Sequence, residues 1–185
     1  MELTSFVKQG KEQVFKPVFG SIAELLEHHA KEFGDKEAVL GVDVDSGSMS
    51  SLSYEKLFET AIKTVGFLFE KGVRKGDRVA FAFENTPMIL IIELAAGLLG
   101  ASCVPLDAKR DTPERRAFKL KDSNTKVFFE DPAQILKGIE AGPPKSRQKL
   151  HILAGFGEED SLGREYLLLY TSGTTANPKG VPLSF

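Results

Sequence analysis

Tryptophan is absent from this 185-residue chain, and cysteine occurs once, at Cys103. A lone cysteine excludes an intrachain disulfide and a cysteine-based metal cluster. It fits a reducing, cytoplasmic setting. Histidine is scarce too: His28 and His29 are adjacent and His151 stands alone. Histidines so placed read as helix-surface or core residues, His28 and His29 pointing different ways, and no Ser-His-Asp arrangement follows from their spacing. Charge of one sign is also lacking. Twenty-four Lys and Arg against 26 Asp and Glu leave a formal net charge of −2, so nothing favours nucleic acid or an anionic membrane surface. The longest apolar stretch, Met88 to Ala101, is interrupted by Glu93 and is too short to span a bilayer. The N-terminal MELTSFVKQGKEQVFK alternates charged and apolar residues, which is not the pattern of a secretory signal. Repeats and low-complexity tracts are missing as well.

What is present is the make-up of a globular domain, 42% hydrophobic and 27% charged, long enough to bury a core. Residues 1–20 read as an N-terminal extension. Ser21-Ile22-Ala23-Glu24 is a capping box and Gly34 a stop, predicting a helix over 21–33. A strand is expected at Glu37–Val42, then a polar Gly/Ser-rich turn over 43–51 and a short strand at 51–54. From Tyr54 to Lys71, Leu57, Ala61, Val65 and Leu68 fall on one helical face, with Gly72 at the end. Asp77–Phe83 reads as a strand. Thr86-Pro87 opens an apolar helix to about residue 99, with proline where its missing N–H costs nothing. Strand 102–105, a Thr112-Pro113 helix to Asp122, strand 125–129 and helix 132–139 follow. The segment 141–149 is a Pro/Gly-containing loop, and 150–154 and 165–170 are the last strands. Strands alternating with helices predict an α/β fold, three-layered with a mainly parallel sheet. The helix at 87–99, greasy nearly all round, should lie deep inside it.

The most informative segment is residues 165–181, EYLLLYTSGTTANPKGV. An apolar strand feeds a stretch of Thr171, Ser172, Gly173, Thr174 and Thr175, closing on Pro178-Lys179-Gly180. Short hydroxyl side chains, a glycine that lets backbone N–H groups approach closely, and one ammonium suit a polyphosphate. The order Pro-Lys-Gly is not that of a Walker A loop, where Gly-Lys-Ser/Thr opens a helix. By composition alone the stretch reads equally well as a small polar surface turn.

The ordered motif resembles the signature loop YTSGTTGxPKG of the adenylate-forming superfamily of acyl-CoA synthetases, adenylation domains and luciferases. GLLGASCVPLDAKRDTPERRAFKLKDSNTKVFF, residues 97–129, resembles that family's Pro-Leu-Asp strand end, Pro-Glu-Arg helix and Asp-Ser turn. LSYEKLFETAIKTVGFLFEKGVRKGDRVAF, residues 52–81, resembles its Ser/Thr-Tyr strand end and Gly-Asp-x-Val-Ala strand. The likeness spans about residues 21–185. It implies the N-terminal part of the large domain of a carboxylate-activating ligase. ATP and Mg²⁺ are the implied cofactors, a carboxylic acid and coenzyme A the implied substrates. Thr171, Ser172, Gly173, Thr174, Thr175 and Lys179 match the positions that hold the β- and γ-phosphates. Two departures stand out: Ala176 where the family usually has Gly, and Phe185 where many members have His after Ser.

Other groups read more plainly. Glu158-Glu159-Asp160 lies in a Gly-flanked loop and is taken as solvated. Lys109, Arg110, Arg115, Arg116, Lys119 and Lys121 read as a solvated basic helix face. No metal ligand or catalytic residue is assigned. The family's Mg²⁺ acid, ribose aspartate, acyl pocket and C-terminal lysine have no counterpart in these residues. The chain is therefore expected to be an excised N-terminal portion, inactive alone, whose unpaired strand edges would favour self-association. Fatty, short, aryl and amino acids all stay open as substrates. The alternative is a non-catalytic nucleotide-binding or interaction module.

Overall fold

A computed structural model of the chain describes residues 5–9, 12–16, 18–42, 49–140, 164–171 and 178–184. The expected loop at 141–149, the strand at 150–154, His151 and the acidic triplet 158–160 lie outside the described residues, as do most of the turn at 43–51, Ala176 and Phe185.

Each helix begins where a short polar side chain takes an otherwise orphaned backbone N–H. Ser21 Oγ accepts from Glu24 N at 3.1 Å to start α1 (Ile22–Phe33), and Glu24 reaches back to Gly20 N at 2.8 Å. Gly34 ends the helix with φ of 36°. Ser53 caps α2 (Tyr54–Glu70), and Thr86 caps α3 (Pro87–Leu98), whose first residue is the expected proline. Thr112 caps α4 (Pro113–Asp122) in the same way, and α5 spans Pro132–Glu140.

The N-terminal extension contains structure the sequence reading did not assign. β1 (Ser5–Gln9) pairs antiparallel with β2 (Glu12–Lys16), Ser5 opposite Lys16 and Gln9 opposite Glu12. A second antiparallel pair joins β3 (Glu37–Val42) to β4 (Met49–Ser53).

The main sheet has five strands. They are β5 (Arg78–Phe81), β6 (Ser102–Pro105), β7 (Val127–Phe129), β8 (Glu165–Thr171) and β9 (Lys179–Ser184), in the order β7-β5-β6-β8-β9. Contacts β5–β6, β5–β7 and β6–β8 are parallel, while β8–β9 is antiparallel. β9 corrects the expectation that 165–170 is the last strand. β9 contains Pro182 and lies at the sheet edge, where proline is tolerated.

Successive side chains enter opposite layers, as the pleat requires. Val79, Phe81, Cys103 and Phe129 join the larger core cluster with α1, α2, α3 and α5. Ala80, Val104, Leu168 and Phe128 join a smaller cluster with Leu120 of α4. Helices thus cover both faces, which is the expected three-layer arrangement. Met88, Ile91, Ile92, Ala95 and Ala96 of α3 are buried. Glu93, its sole charge, is half-buried, and burial pushes its carboxyl above the ordinary range.

At the first residues of the parallel strands, Arg78 grips Glu165 through two bonds of 2.7 and 2.8 Å. Ser102 donates to the same carboxylate at 2.7 Å, and Arg78 Nη1 reaches the Ser123 carbonyl at 2.8 Å. β5, β6, β8 and the end of α4 are tied together there.

His28 and His29 do not point apart. Both rings meet Phe19, at 5.1 and 5.7 Å between centroids, and His29 also meets Phe33 and Tyr54. His29 packs α1 against the start of α2, and His28 packs on Phe19 ahead of α1.

Gly138 of α5 marks a close helix contact. A Cβ there would come within 2.1–2.8 Å of the Phe67 ring, which is already set against Phe129. Gly138→Ala gains about 1 kcal/mol of helix propensity but overpacks by roughly 1–3 kcal/mol. Chemical denaturation should therefore show a net loss of about 1 kcal/mol; a stabilised variant would mean that Phe67 moves aside freely.

Candidate functional site

β5, β6 and β8 run parallel, so their C-terminal ends open on the same side of the sheet. Ligands of open α/β sheets sit at that end. An open cleft of about 580 Å³ lies there, lined among others by Phe83, Asn85, Asp107, Lys109 and Tyr170.

Of the residues singled out from the sequence, Thr171 and Lys179 are described. They lie directly opposite each other on β8 and β9, and Thr171 Oγ1 approaches the Lys179 carbonyl at 3.5 Å. Both are exposed. The antiparallel pair thus holds the two ends of the signature stretch together beside the cleft. Ser172, Gly173, Thr174 and Thr175 lie outside the described residues.

The Pro-Leu-Asp segment forms the adjoining wall. Asp107 Oδ1 accepts from Lys109 N at 3.0 Å and from Arg110 N at 2.9 Å. These backbone bonds, Arg110 first, hold its carboxyl below the usual carboxylate range. Asp107 N in turn donates to Asp111 Oδ2 at 3.2 Å. Lys109 pairs with Glu84 across the mouth of the cleft at 2.9 Å.

Lys119 overturns part of the solvated-face reading. Its Nζ lies 2.6 Å from both oxygens of Asp111, and both side chains are buried. Arg116 is drawn inward too, bonding Glu130 at 2.6 Å. Above Lys119, the Tyr170 ring lies 5.6 Å from its ammonium. The Tyr170 hydroxyl is 2.6 Å from Asp122 Oδ2 and 3.2 Å from the Lys119 carbonyl. Asp111 and Asp122 were missed from sequence. Asp111 directly precedes the helix cap and Asp122 ends the helix, and neither position signals that the first is buried and the second meets Tyr170.

Cys103 is fully buried beneath α3, and burial pushes its thiol well above the ordinary range, which removes it as a nucleophile. Among the described residues, no group of three or more His, Cys, Asp or Glu is placed to hold a metal ion. None of their helices is long and apolar enough to cross a membrane.

Comparison with known proteins gives these features a context. The sequence model of a family described as AMP-binding enzyme matches residues 26–185. A probable CoA ligase of Humulus lupulus is 30% identical over 89% of this chain and 34% of its own length. A feruloyl-CoA synthase of an Amycolatopsis species is 33% identical over 73% of this chain and 28% of its own length. The chain thus spans about a third of the length of these relatives. Among solved structures, the inhibitor-bound N-terminal domain of FACL13 from Mycobacterium tuberculosis superposes with a TM-score of 0.62 at 27% identity, over 89% of this chain and 44% of that one. The O-succinylbenzoate coenzyme A synthetase of Bacillus subtilis, in complex with AMP, gives 0.61 at 26%, over 86% of this chain and 42% of that one.

Proposed function

We propose that this chain, which belongs to the AMP-binding enzyme family, forms the N-terminal part of the adenylation domain of an ATP-dependent carboxylate–CoA ligase and supplies its phosphate-binding turn. One observation carries the reading: Thr171 and Lys179, the ends of a Thr/Ser/Gly-rich stretch, face each other at the C-terminal end of a parallel sheet. The hydroxyl and the ammonium there suit an anion, and the motif between them supplies further hydroxyls. The relatives act as CoA ligases by name, which favours a carboxylic acid and coenzyme A as the other substrates.

ATP, when bound, would supply an electrophilic α-phosphorus with pyrophosphate as leaving group, so that a carboxylate could be activated and its acyl group passed to a thiol with release of AMP. Lys179 places a positive charge where negative charge gathers on the departing phosphates, worth most in a site that excludes water. The hydroxyls that the motif carries at Thr171, Ser172, Thr174 and Thr175 would suit phosphate oxygens as hydrogen-bond donors. Mg²⁺ would complete the neutralisation, but no described residue is assigned as its ligand.

The test is carboxylate-dependent ATP–pyrophosphate exchange by the complete ligase. Lys179→Ala should raise the ATP concentration needed by about tenfold, the worth of one charge-assisted contact. An unaltered ATP dependence would remove Lys179 from the phosphate site. Nucleotide binding without exchange, across a panel of acids, would favour a non-catalytic module. Residues 1–185 alone should show no exchange, because the reaction needs ribose, metal and acyl sites placed together.

A further inference from the structure

We propose that the Tyr170 hydroxyl, bound to Asp122, is a positioning group that fixes where Thr171 and Lys179 stand beside the cleft. The proposal rests on the phosphate-binding reading of those two residues.

Tyr170 immediately precedes Thr171 and lies opposite Gly180, one pair away from Thr171 and Lys179. Its side chain leaves the sheet on the α4 side, with Leu168. There its hydroxyl meets Asp122, the last residue of α4, at 2.6 Å. A hydroxyl has one proton, and the carboxylate is both nearer and more strongly accepting than the Lys119 carbonyl at 3.2 Å. Burial, reinforced by Asp122, pushes the phenol above its ordinary range, so it remains a donor through neutral pH.

The receiving end is rigid. α4 is locked by the buried Lys119–Asp111 pair and, at Ser123, by Arg78. A Cβ on Gly180 would come within 3.2 Å of Leu168 Cδ1 and 3.5 Å of Tyr170 Cε1. The Tyr170 distance is ordinary contact, so only the Leu168 side chain would have to give slightly, and no left-handed φ is required at Gly180. Ring and hydroxyl together tie the end of β8 to α4. The hydroxyl is engaged by Asp122, so removing it acts on ATP through the position of the strand end.

The experiment compares KM values in the complete ligase, with Lys179→Ala in parallel. Tyr170→Phe should raise the KM for ATP about tenfold, the worth of a hydrogen bond to a charged acceptor, with the KM for the carboxylic acid unchanged. Asp122→Leu should reproduce it, and the double variant should be no worse than either single one. Asp122→Asn keeps an oxygen acceptor and should restore ATP binding to within about twofold. A purely structural role would lower thermal stability and leave both KM values alone. If Lys179→Ala weakens ATP use and Tyr170→Phe does not, the positioning role is wrong. If Lys179→Ala itself changes nothing, the phosphate reading fails and takes this proposal with it.

Discussion

Lys119→Met should destabilise the chain by about 3–5 kcal/mol, because it takes from the buried Asp111 carboxylate its nearest cation, leaving among the described residues only the Asp107 N–H at 3.2 Å and Arg115 at 3.9 Å. At about 2–4 °C per kcal/mol for a domain of this size, the melting temperature should fall by roughly 10 °C or more. Asp111 and Lys119 make two 2.6 Å contacts with side chains 3% and 7% exposed. Methionine keeps the stem volume of lysine, so the loss reports charge rather than a cavity. The double variant Lys119→Met with Asp111→Asn should recover much of the stability, since replacing both members of a buried pair is often nearly neutral. Thermal and chemical denaturation of both variants decide the matter. A single variant within about 1 kcal/mol of the parent would mean that water reaches Asp111 readily.

That pair also marks the boundary of what the sequence reveals. Helix starts at Ser21, Thr86-Pro87 and Thr112-Pro113 were readable because capping is local chemistry, decided within four residues. The parallel strands were readable because both of their faces are buried, leaving short apolar runs between turn signals. β1 and β2 were missed although Phe6, Val7, Val14 and Phe15 flank a Gly10-Lys11 sequence that suits a hairpin. Alternation in so short a stretch carried less weight than its terminal position. β9 was missed because Pro182 forbids a central strand but tolerates an edge, and edge position belongs to the topology. Within the candidate site, the family was readable from the ordered motif between Thr171 and Lys179, and the family model matches residues 26–185. The supporting contacts were not readable. Lys119 looks like its basic neighbours until α4 is laid on the sheet, and only then does its side chain turn inward to Asp111. Asp122 meets Tyr170 across 48 residues of chain, a separation no local pattern encodes.

Glu165→Ala should cost about 2–3 kcal/mol at neutral pH and progressively less as the solution is acidified. Three hydrogen bonds converge on this carboxylate, two from Arg78 and one from Ser102. Removing it leaves a partly buried cation and a hydroxyl without their acceptor, and bonds to charged groups are the costly ones to lose. The side chains of Arg78 and Glu165 are 31% and 25% exposed, so solvent screening keeps the loss below that of the fully buried Lys119 pair. The Arg78 guanidinium, bonded to it, holds the Glu165 carboxyl below the ordinary glutamate range, with Ser102 adding to the effect against burial. A carboxyl depressed on folding means that the unfolded chain binds more protons near its own titration point, so stability rises with pH there. The contribution is fully present above the unfolded glutamate value of about 4.3 and is lost as pH falls through the lower folded value. The parent should therefore lose stability below about pH 5, while Glu165→Ala lacks this part of the slope, and the two curves should converge in acid. Denaturation midpoints from pH 7 down to about 3 test the sign. A gap that stays constant, or widens, as the pH drops would show that the Arg78–Glu165 bond does not carry the stability assigned to it at the base of β5, β6 and β8.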